Sequence, residues 1–295
     1  MTVSLEGKTA LVTGAGAGLG RAEALALAAA GAAVVVNDYD KDAAHAVVDE
    51  IVAAGGQGTA APGDVSSWST AAELVETAIS TYGQLDVLVN NAGVLRDRTI
   101  FNISEQEWDT VIGVHLKGHA GTSRFATAHW RERSKEAGGP VYGRVINTSS
   151  EAFLFGSAGQ PNYAAAKAGI VALTLATSRA CERYGVKANA ICPRARTAMT
   201  AGVFGDAPEG TDPLSVDHVA PLVAYLASPA AEDVNGQVFV AYGGMVVLVS
   251  APGVEQRFDS GDATWTTDGL ASELGGYFGQ RDNSLTFAAD AIARL

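Results

Sequence analysis

Seven consecutive residues, Gly14-Ala15-Gly16-Ala17-Gly18-Leu19-Gly20, leave this chain few folds to choose from. They follow a short apolar run, Thr9-Ala10-Leu11-Val12-Thr13, which reads as a buried strand. A helix of alanine and leucine comes next and stops at Gly31; Val34-Val35-Val36 then forms a second strand that ends at Asn37-Asp38. Strand, glycine turn, helix and strand make a βαβ unit whose helix N-terminus can meet a pyrophosphate. A β-carbon in the turn would block the phosphate and resist positive φ angles. Glycine-rich turns also occur for steric reasons alone, but here the strand, the helix and the acidic residue all stand where dinucleotide binding needs them. Gly14, Gly16, Ala17, Gly18, Leu19 and Gly20 are therefore predicted cofactor-binding residues. Asp38 can accept hydrogen bonds from both ribose hydroxyls of an adenosine and would repel a 2′-phosphate. Asp40 and Asp42 oppose Lys41 just after it, so NAD(H) is expected over NADP(H). As a mere turn or cap residue, Asp38 would leave that choice open.

The alternation continues to about residue 245. Strands are predicted at 58–61, 85–89, 143–148, 187–191 and 237–241, with Gly243-Gly244 ending the last. Helices are predicted over 43–54, from Ser66 or Ser67 to about Tyr82, and from Pro161 to about residue 184. Ser104 with Glu107 is a capping-box signature and opens one long helix to about Arg133. Parallel strands joined by helices need both sheet faces covered. The predicted class is α/β: a Rossmann-like, doubly wound, seven-stranded parallel sheet with helices on both faces, binding ligands at the carboxyl ends of its strands. Residues 1–249 are expected to form one domain that includes the catalytic site. Residues 250–295 are too few for a core of their own. Their apolar side chains, Trp265, Leu270 and Phe278 among them, predict an extension packing on the core or on a neighbouring subunit. The glycine-, proline- and acid-rich stretch 200–213 reads as a mobile substrate loop.

Charge and cysteine usage narrow the partners. The net charge is −12, and no basic stretch is available to neutralise phosphates, which disfavours nucleic acid and anionic membrane surfaces. The two cysteines, Cys181 and Cys192, form no C-x-x-C pair, so no disulfide framework or metal site is predicted and a reducing cytosol fits best. No signal-peptide pattern opens the chain, and no apolar run approaches the ~18 residues of a membrane span. A cytoplasmic protein with a small-molecule substrate is expected.

The candidate chemistry lies further along. Tyr163 and Lys167 stand at i and i+4 on the helix that Pro161 opens, so their side chains share one face. A phenol ionises near ~10, too high for a base at neutral pH, and an ammonium one turn away favours the phenolate. The pair thus suggests proton transfer to or from a substrate hydroxyl. Alone, Y-x-x-x-K is as readily a tyrosine and a lysine on a solvated helix face. Ser150, thirteen residues before Tyr163, is either a partner for the substrate oxygen or a capping serine at a strand end; Ser149 beside it fits the capping role.

Four motifs in order carry a resemblance to the short-chain dehydrogenase/reductase family over roughly residues 5–245. Thr13-Gly14 through Gly18-Leu19-Gly20 matches its TGxxxGxG turn, Asp64-Val65 its adenine-contacting pair, and Asn90-Asn91-Ala92-Gly93 its NNAG element. Ser150, Tyr163 and Lys167 match its catalytic serine and YxxxK. The resemblance implies that Tyr163 is the general acid/base, that Lys167 lowers its pKa and holds the nicotinamide ribose, and that Ser150 orients the substrate oxygen. Asp64, Val65, Asn91, Ala92, Gly93, Tyr163, Lys167, Pro193 and Thr197 join the expected cofactor contacts, Thr197 at the carboxamide. Where the family places a catalytic asparagine in the long helix, this chain has His115, which can bond a water and can also titrate near neutral pH. Arg194 and Arg196 replace the family's usual glycine region; they would pair with a pyrophosphate or an anionic substrate group, or point to solvent. Segments such as Val35-Val36-Asn37-Asp38 and Asn91 through Arg98 are similar to the (3R)-hydroxyacyl-CoA dehydrogenase subgroup, the type found in peroxisomal multifunctional enzyme type 2, also called a 17β-hydroxysteroid dehydrogenase. That implies an NAD-dependent oxidation of a bulky acyl thioester or steroid-like alcohol by a homo-oligomer, a dimer or tetramer. The rivals are a 3-oxoacyl carrier-protein reductase and a non-catalytic NAD-binding sensor or scaffold.

Overall fold

The computed structural model describes residues 3–200, 204–261, 263–282 and 285–289. They belong to two compact units, Met1–Val249 and Ser250–Leu295. The first is a sheet covered by helices. Its parallel strands are β1 (Thr9–Val12), β2 (Ala33–Val36), β3 (Gln57–Ala60), β4 (Val87–Asn90), β5 (Gly143–Thr148), β6 (Val186–Pro193) and β7 (Val238–Tyr242). The spatial order is β3-β2-β1-β4-β5-β6-β7, so the winding reverses between β1 and β4. A crevice opens at the carboxyl ends of the strands on either side of such a reversal. β1, β4 and β5 are buried on both faces, which explains their unbroken apolar runs in place of alternation.

The sheet differs from expectation at one edge. Gly243-Gly244 does not end the sheet; Gly243, at φ +52, turns the chain into β8 (Met245–Leu248), which pairs antiparallel with β7. A two-residue hairpin needs left-handed backbone, and Gly243 supplies it. The sheet therefore has eight strands, seven of them parallel.

The connecting helices are α1 (Gly18–Ala29), α2 (Lys41–Ala53), α3 (Trp68–Tyr82), α4 (Glu105–Ile112), α5 (Gly118–Ala137), the short α6 (Ala152–Phe155), α7 (Pro161–Cys181) and α8 (Ala220–Ala227). Side chains cap several of them. Asp40 accepts from the Asp42 and Ala43 amides, Ser67 from Thr70, and Ser104 with Glu107 forms the expected reciprocal box. The single long helix of the sequence reading is in fact α4 and α5 joined by a π-helical turn, Gly113–Lys117. The extra residue of such a turn re-aims side chains, and functional sites often use it that way. The helix predicted to reach residue 184 ends at Cys181 and finishes in a 3₁₀ turn, Glu182–Tyr184.

Buried polar groups lock the helices onto the sheet beneath the crevice. Asn90 on β4 donates to Asn147 on β5 (2.9 Å) and to Ser123 on α5 (3.2 Å), and accepts from Thr122 (2.6 Å). Asn147 in turn donates to Thr174 on α7 (2.9 Å). Every member is hydrogen-bonded, so the network rigidifies the core at the carboxyl ends of β4 and β5 without an unsatisfied-group penalty. At the opposite end, fully buried Trp130 on α5 donates its indole N–H to the Leu85 carbonyl (2.6 Å).

The second unit contains the helix α9 (Thr267–Phe278), capped by Thr266. Glu255 accepts hydrogen bonds from Tyr277 (2.8 Å) and Arg281 (2.7 Å), and Phe258 packs edge-on against Tyr277. Of the stretch predicted as a substrate loop, positions 201–203 lie outside the described residues.

Candidate active site

A cleft of about 730 Å³ opens at the carboxyl ends of the strands. All predicted site residues line it except Gly16 and Ser150, and each of these two is bonded to one that does. At one end the wall is the glycine turn. Gly14 has φ +63, and a β-carbon there would lie 2.6 Å from the Ala92 Cα, so both the backbone angle and the close approach of β4 require glycine. The turn is tied down by Thr13, whose hydroxyl accepts from the Asn91 and Ala92 amides (3.1 and 3.2 Å). Asn91 completes the tie by donating to the carbonyls of Thr13 and Gly14 (3.0 Å each). Asn91 therefore lines the cleft while its side-chain amide braces the turn.

The same end shows how well a dinucleotide fits. Ala17, the residue preceding α1, offers no side-chain cap, so the first amides of this twelve-residue helix have no side-chain acceptor. Uncapped N–H groups at a helix N-terminus favour an anion such as a pyrophosphate. Asp38 lies at the tip of β2 and accepts from the Gly16 amide (2.9 Å) and the Asp40 amide (2.9 Å), which fixes its carboxylate on the cleft wall. Asp64 accepts from the Ser66 amide (2.9 Å), and Val65 is buried beside it.

At the other end, α7 brings Tyr163 and Lys167 to the wall. The fully buried Lys167 ammonium donates to the Thr148 carbonyl (2.6 Å) and sits 5.2 Å from the centre of the Tyr163 ring. Burial pushes the lysine down to about 7 and the tyrosine up to about 12, a rise that a hydrogen bond from Ser150 opposes. This corrects the expectation from spacing: in the free protein, desolvation outweighs the help the lysine was expected to give the phenolate. Ser150 also accepts from the Ala152 amide (3.2 Å). That amide opens α6, so Ser150 makes a cap-like contact as well; Ser149 instead donates to the Lys167 carbonyl (2.9 Å) within α7, while its amide donates to Ile191 on β6 (2.7 Å).

His115 lies on the π-helical turn, edge-on to Tyr163 with ring centres 5.2 Å apart. Its Nε2 is 3.0 Å from the Val94 nitrogen and 2.8 Å from the Val94 carbonyl, and its buried Nδ1 has no protein partner. Burial, then the Lys167 charge, holds it well below the usual histidine range, so it is neutral at pH 7 and does not titrate there as its residue type suggested. Gly93 is explained by the same ring: a β-carbon there would lie 2.4 Å from His115 Cε1.

Both arginines after β6 are engaged by carboxylates of the chain. Arg194 forms a two-point pair with Glu151 (2.7 and 2.8 Å), and Arg196 pairs with Asp212 (2.9 Å) while also reaching the Phe204 and Gly205 carbonyls. Both brace loops; Pro193 and Thr197 on either side line the cleft. Sequence reasoning missed His119, one turn beyond His115. It is fully buried; burial, then the Lys167 charge, pushes it down to about 3, and its Nε2 has no hydrogen-bond partner. It missed the Thr148 carbonyl as well, because a backbone acceptor leaves no trace in residue type.

A reversal-point crevice, an uncapped helix facing it and a half-buried tyrosine beside a buried lysine opposite define a nucleotide-dependent oxidoreductase of one family. Residues 8–207 match the model of the short chain dehydrogenases, and the chain belongs to that family, whose members act on CH–OH groups. It is similar to hydroxyacyl-CoA dehydrogenase ChsB1 of Mycobacterium tuberculosis, at 55% identity over 99% of this chain and 95% of the other. It is also similar to peroxisomal multifunctional enzyme type 2 of Drosophila melanogaster, at 41% identity over 78% of this chain and 38% of that longer protein. A solved structure of a short chain dehydrogenase from Mycobacterium avium superimposes with a TM-score of 0.86 at 46% identity, covering 95% and 97% of the two chains. Among the described residues no helix is long and apolar enough to cross a membrane, and no cluster of metal-ligating side chains occurs.

Proposed function

We propose that the chain is an NAD(H)-dependent dehydrogenase that interconverts a 3-hydroxyacyl-CoA and its 3-oxo form. The observation that carries this reading is the placement of Tyr163 and Lys167 on the wall of a cleft whose other end is the uncapped α1 N-terminus and Asp38. The substrate class follows the hydroxyacyl-CoA dehydrogenase named above, which matches this chain along nearly its whole length.

When bound, an oxidised nicotinamide dinucleotide supplies the hydride acceptor. The protein's part is to hold it and to manage a proton. The Gly14–Gly20 turn and the first amides of α1 hold the pyrophosphate. Asp38 takes the adenosine ribose hydroxyls and meets a 2′-phosphate with like charge, which favours NAD over NADP. Ser150 and Tyr163 hold the substrate oxygen through hydrogen bonds at Oγ and Oη. In the reducing direction the phenol, protonated in the free protein, gives its proton to the carbonyl oxygen; in the oxidising direction the phenolate takes the hydroxyl proton. The Lys167 ammonium one turn along favours that phenolate. The Thr148 carbonyl accepts from that ammonium and holds it at this position in the site.

Tyr163→Phe tests the assignment. It keeps the ring that packs on His115 and removes only Oη, so the fold persists and kcat on a 3-hydroxyacyl-CoA falls by about 10²–10⁴, the usual yield of a positioned acid or base. Near-normal turnover, followed as NADH absorbance, would sink the reading.

A further inference from the structure

The loop leaving β4 carries a cation that the chemistry above does not use. Arg96 is exposed yet lines the cleft, together with Thr110, His115 and Tyr163. Its guanidinium donates to the adjacent Leu95 carbonyl (2.7 Å) and forms no ion pair among the described residues. Its neighbours are already committed: Arg98 lies 3.2 Å from Glu107, whose carboxylate also receives the Ser104 amide and hydroxyl. Asp97 accepts from Gln160 (2.9 Å), and Arg194 and Arg196 are held by Glu151 and Asp212.

The backbone around Arg96 is held in place. The fully buried Asn162 side chain, next to Tyr163, donates to the Arg96 carbonyl (3.1 Å) and the Glu107 carbonyl (3.3 Å). With Gln160 on Asp97 and Arg98 on Glu107, the loop is fastened to the start of α7 and to α4 just after the arginine, and the Val94 amide donates to His115 two residues before it (3.0 Å). The side chain is thus presented at the cleft from a braced main chain, so little backbone ordering entropy remains to be lost on binding. Lys167 is the other lysine or arginine lining the cleft, and it is buried on the Thr148 carbonyl. A polyanionic ligand approaching a chain of net charge −12 therefore has Arg96 as its local cation at the surface of the site. A guanidinium offers a planar, two-point fork suited to phosphate.

Given the hydroxyacyl-CoA reading, on which this rests, we propose that Arg96 receives a phosphate of the CoA handle and so sets a preference for CoA thioesters over thioesters without phosphate. The dinucleotide is the other source of phosphate at this cleft, and the experiment separates the two. KM and kcat are measured for wild type, Arg96→Ala and Arg96→Lys on a 3-hydroxyacyl-CoA, on the matching N-acetylcysteamine thioester and on NAD. Arg96→Ala is expected to raise KM for the CoA thioester about tenfold, the loss of one charge-assisted contact, with kcat kept. KM for the N-acetylcysteamine thioester and for NAD stays within about twofold, because neither uses the contact. Arg96→Lys restores part of the loss, and added salt raises KM more for wild type than for Arg96→Ala. Lys135→Ala removes the same charge from the far end of α5 and leaves all constants in place. An equal rise for both thioesters, a rise confined to NAD, or no rise at all overturns the proposal. If wild type oxidises neither thioester, the hydroxyacyl-CoA reading falls and takes the proposal with it.

Discussion

Lys167→Met should make the cofactor-free protein more stable while abolishing turnover. The ammonium is fully buried, and burial moves it from 10.5 to about 7. Below pH 7 that displacement corresponds to about 5 kcal/mol held against folding. Methionine keeps a similar length and has no charge to desolvate, but it leaves the Thr148 carbonyl without its donor at a cost of about 1–3 kcal/mol. The net gain is on the order of 2–4 kcal/mol, or roughly 4–16 °C in Tm for a domain of this size. Its pH dependence follows from the direction of the shift. Between pH 7 and 10.5 the unfolded lysine keeps its proton while the folded one has lost it, so wild-type stability rises with pH across that window. The advantage of the variant should shrink over the same range, vanish about 1.5–3 pH units above pH 7 and then reverse, because methionine still lacks the donor to Thr148. The groups facing Lys167 stay neutral at pH 7 and are common to both proteins: His115 and His119 are pushed down, Cys192 and Tyr163 up. Scanning calorimetry of both proteins at pH 6, 8 and 10 measures the gap. A variant less stable at pH 6, or a gap that does not move with pH, would mean that the buried ammonium carries its charge at no cost, and would refute the reasoning.

Three shorter tests address the rest of the site and the core. Gly14→Ala combines a left-handed φ with a β-carbon 2.6 Å from Ala92, and should cost about 2–5 kcal/mol while weakening dinucleotide binding; a wild-type Tm and fluorescence titration would contradict it. Asp38→Ala should raise KM for NAD by about tenfold or more and lift NADP use, read as the ratio of kcat/KM for the two cofactors. Glu23 on α1 is buried with neither carboxylate oxygen partnered, and burial raises it to about 8. It binds its proton more tightly folded than unfolded, so wild-type stability should fall as pH rises from 4.5 to 8. Glu23→Gln should flatten that fall and gain about 1–3 kcal/mol at pH 8, checked by urea midpoints at pH 5 and 8.

Physical terms separate what could be read in the chain from what could not. The βαβ opening, the order of strands and helices, the Ser104–Glu107 box and the residues of the cleft wall were legible, because each rests on spacing along the chain. Periodicity, glycine where the backbone approaches closely, and i,i+4 placement are all local. The miss in the sheet, β8, came from treating Gly243-Gly244 as a stop when a hairpin uses the same residues to reverse direction; the π-turn and the short helices α6 and α8 were also not legible. Tertiary structure decided the electrostatics. Tyr163 and Lys167 are placed together by sequence, but their pKa values diverge because the helix is packed dry against β5 and β6, and desolvation depends on depth rather than neighbours in the chain. His115 loses its titration for the same reason. Arg194 and Arg196 are claimed by Glu151 and Asp212, forty-three and sixteen residues away, pairings that no local pattern announces. Arg96 forms no ion pair among the described residues, while Asp97 and Glu107 on the same loop and on α4 have other partners.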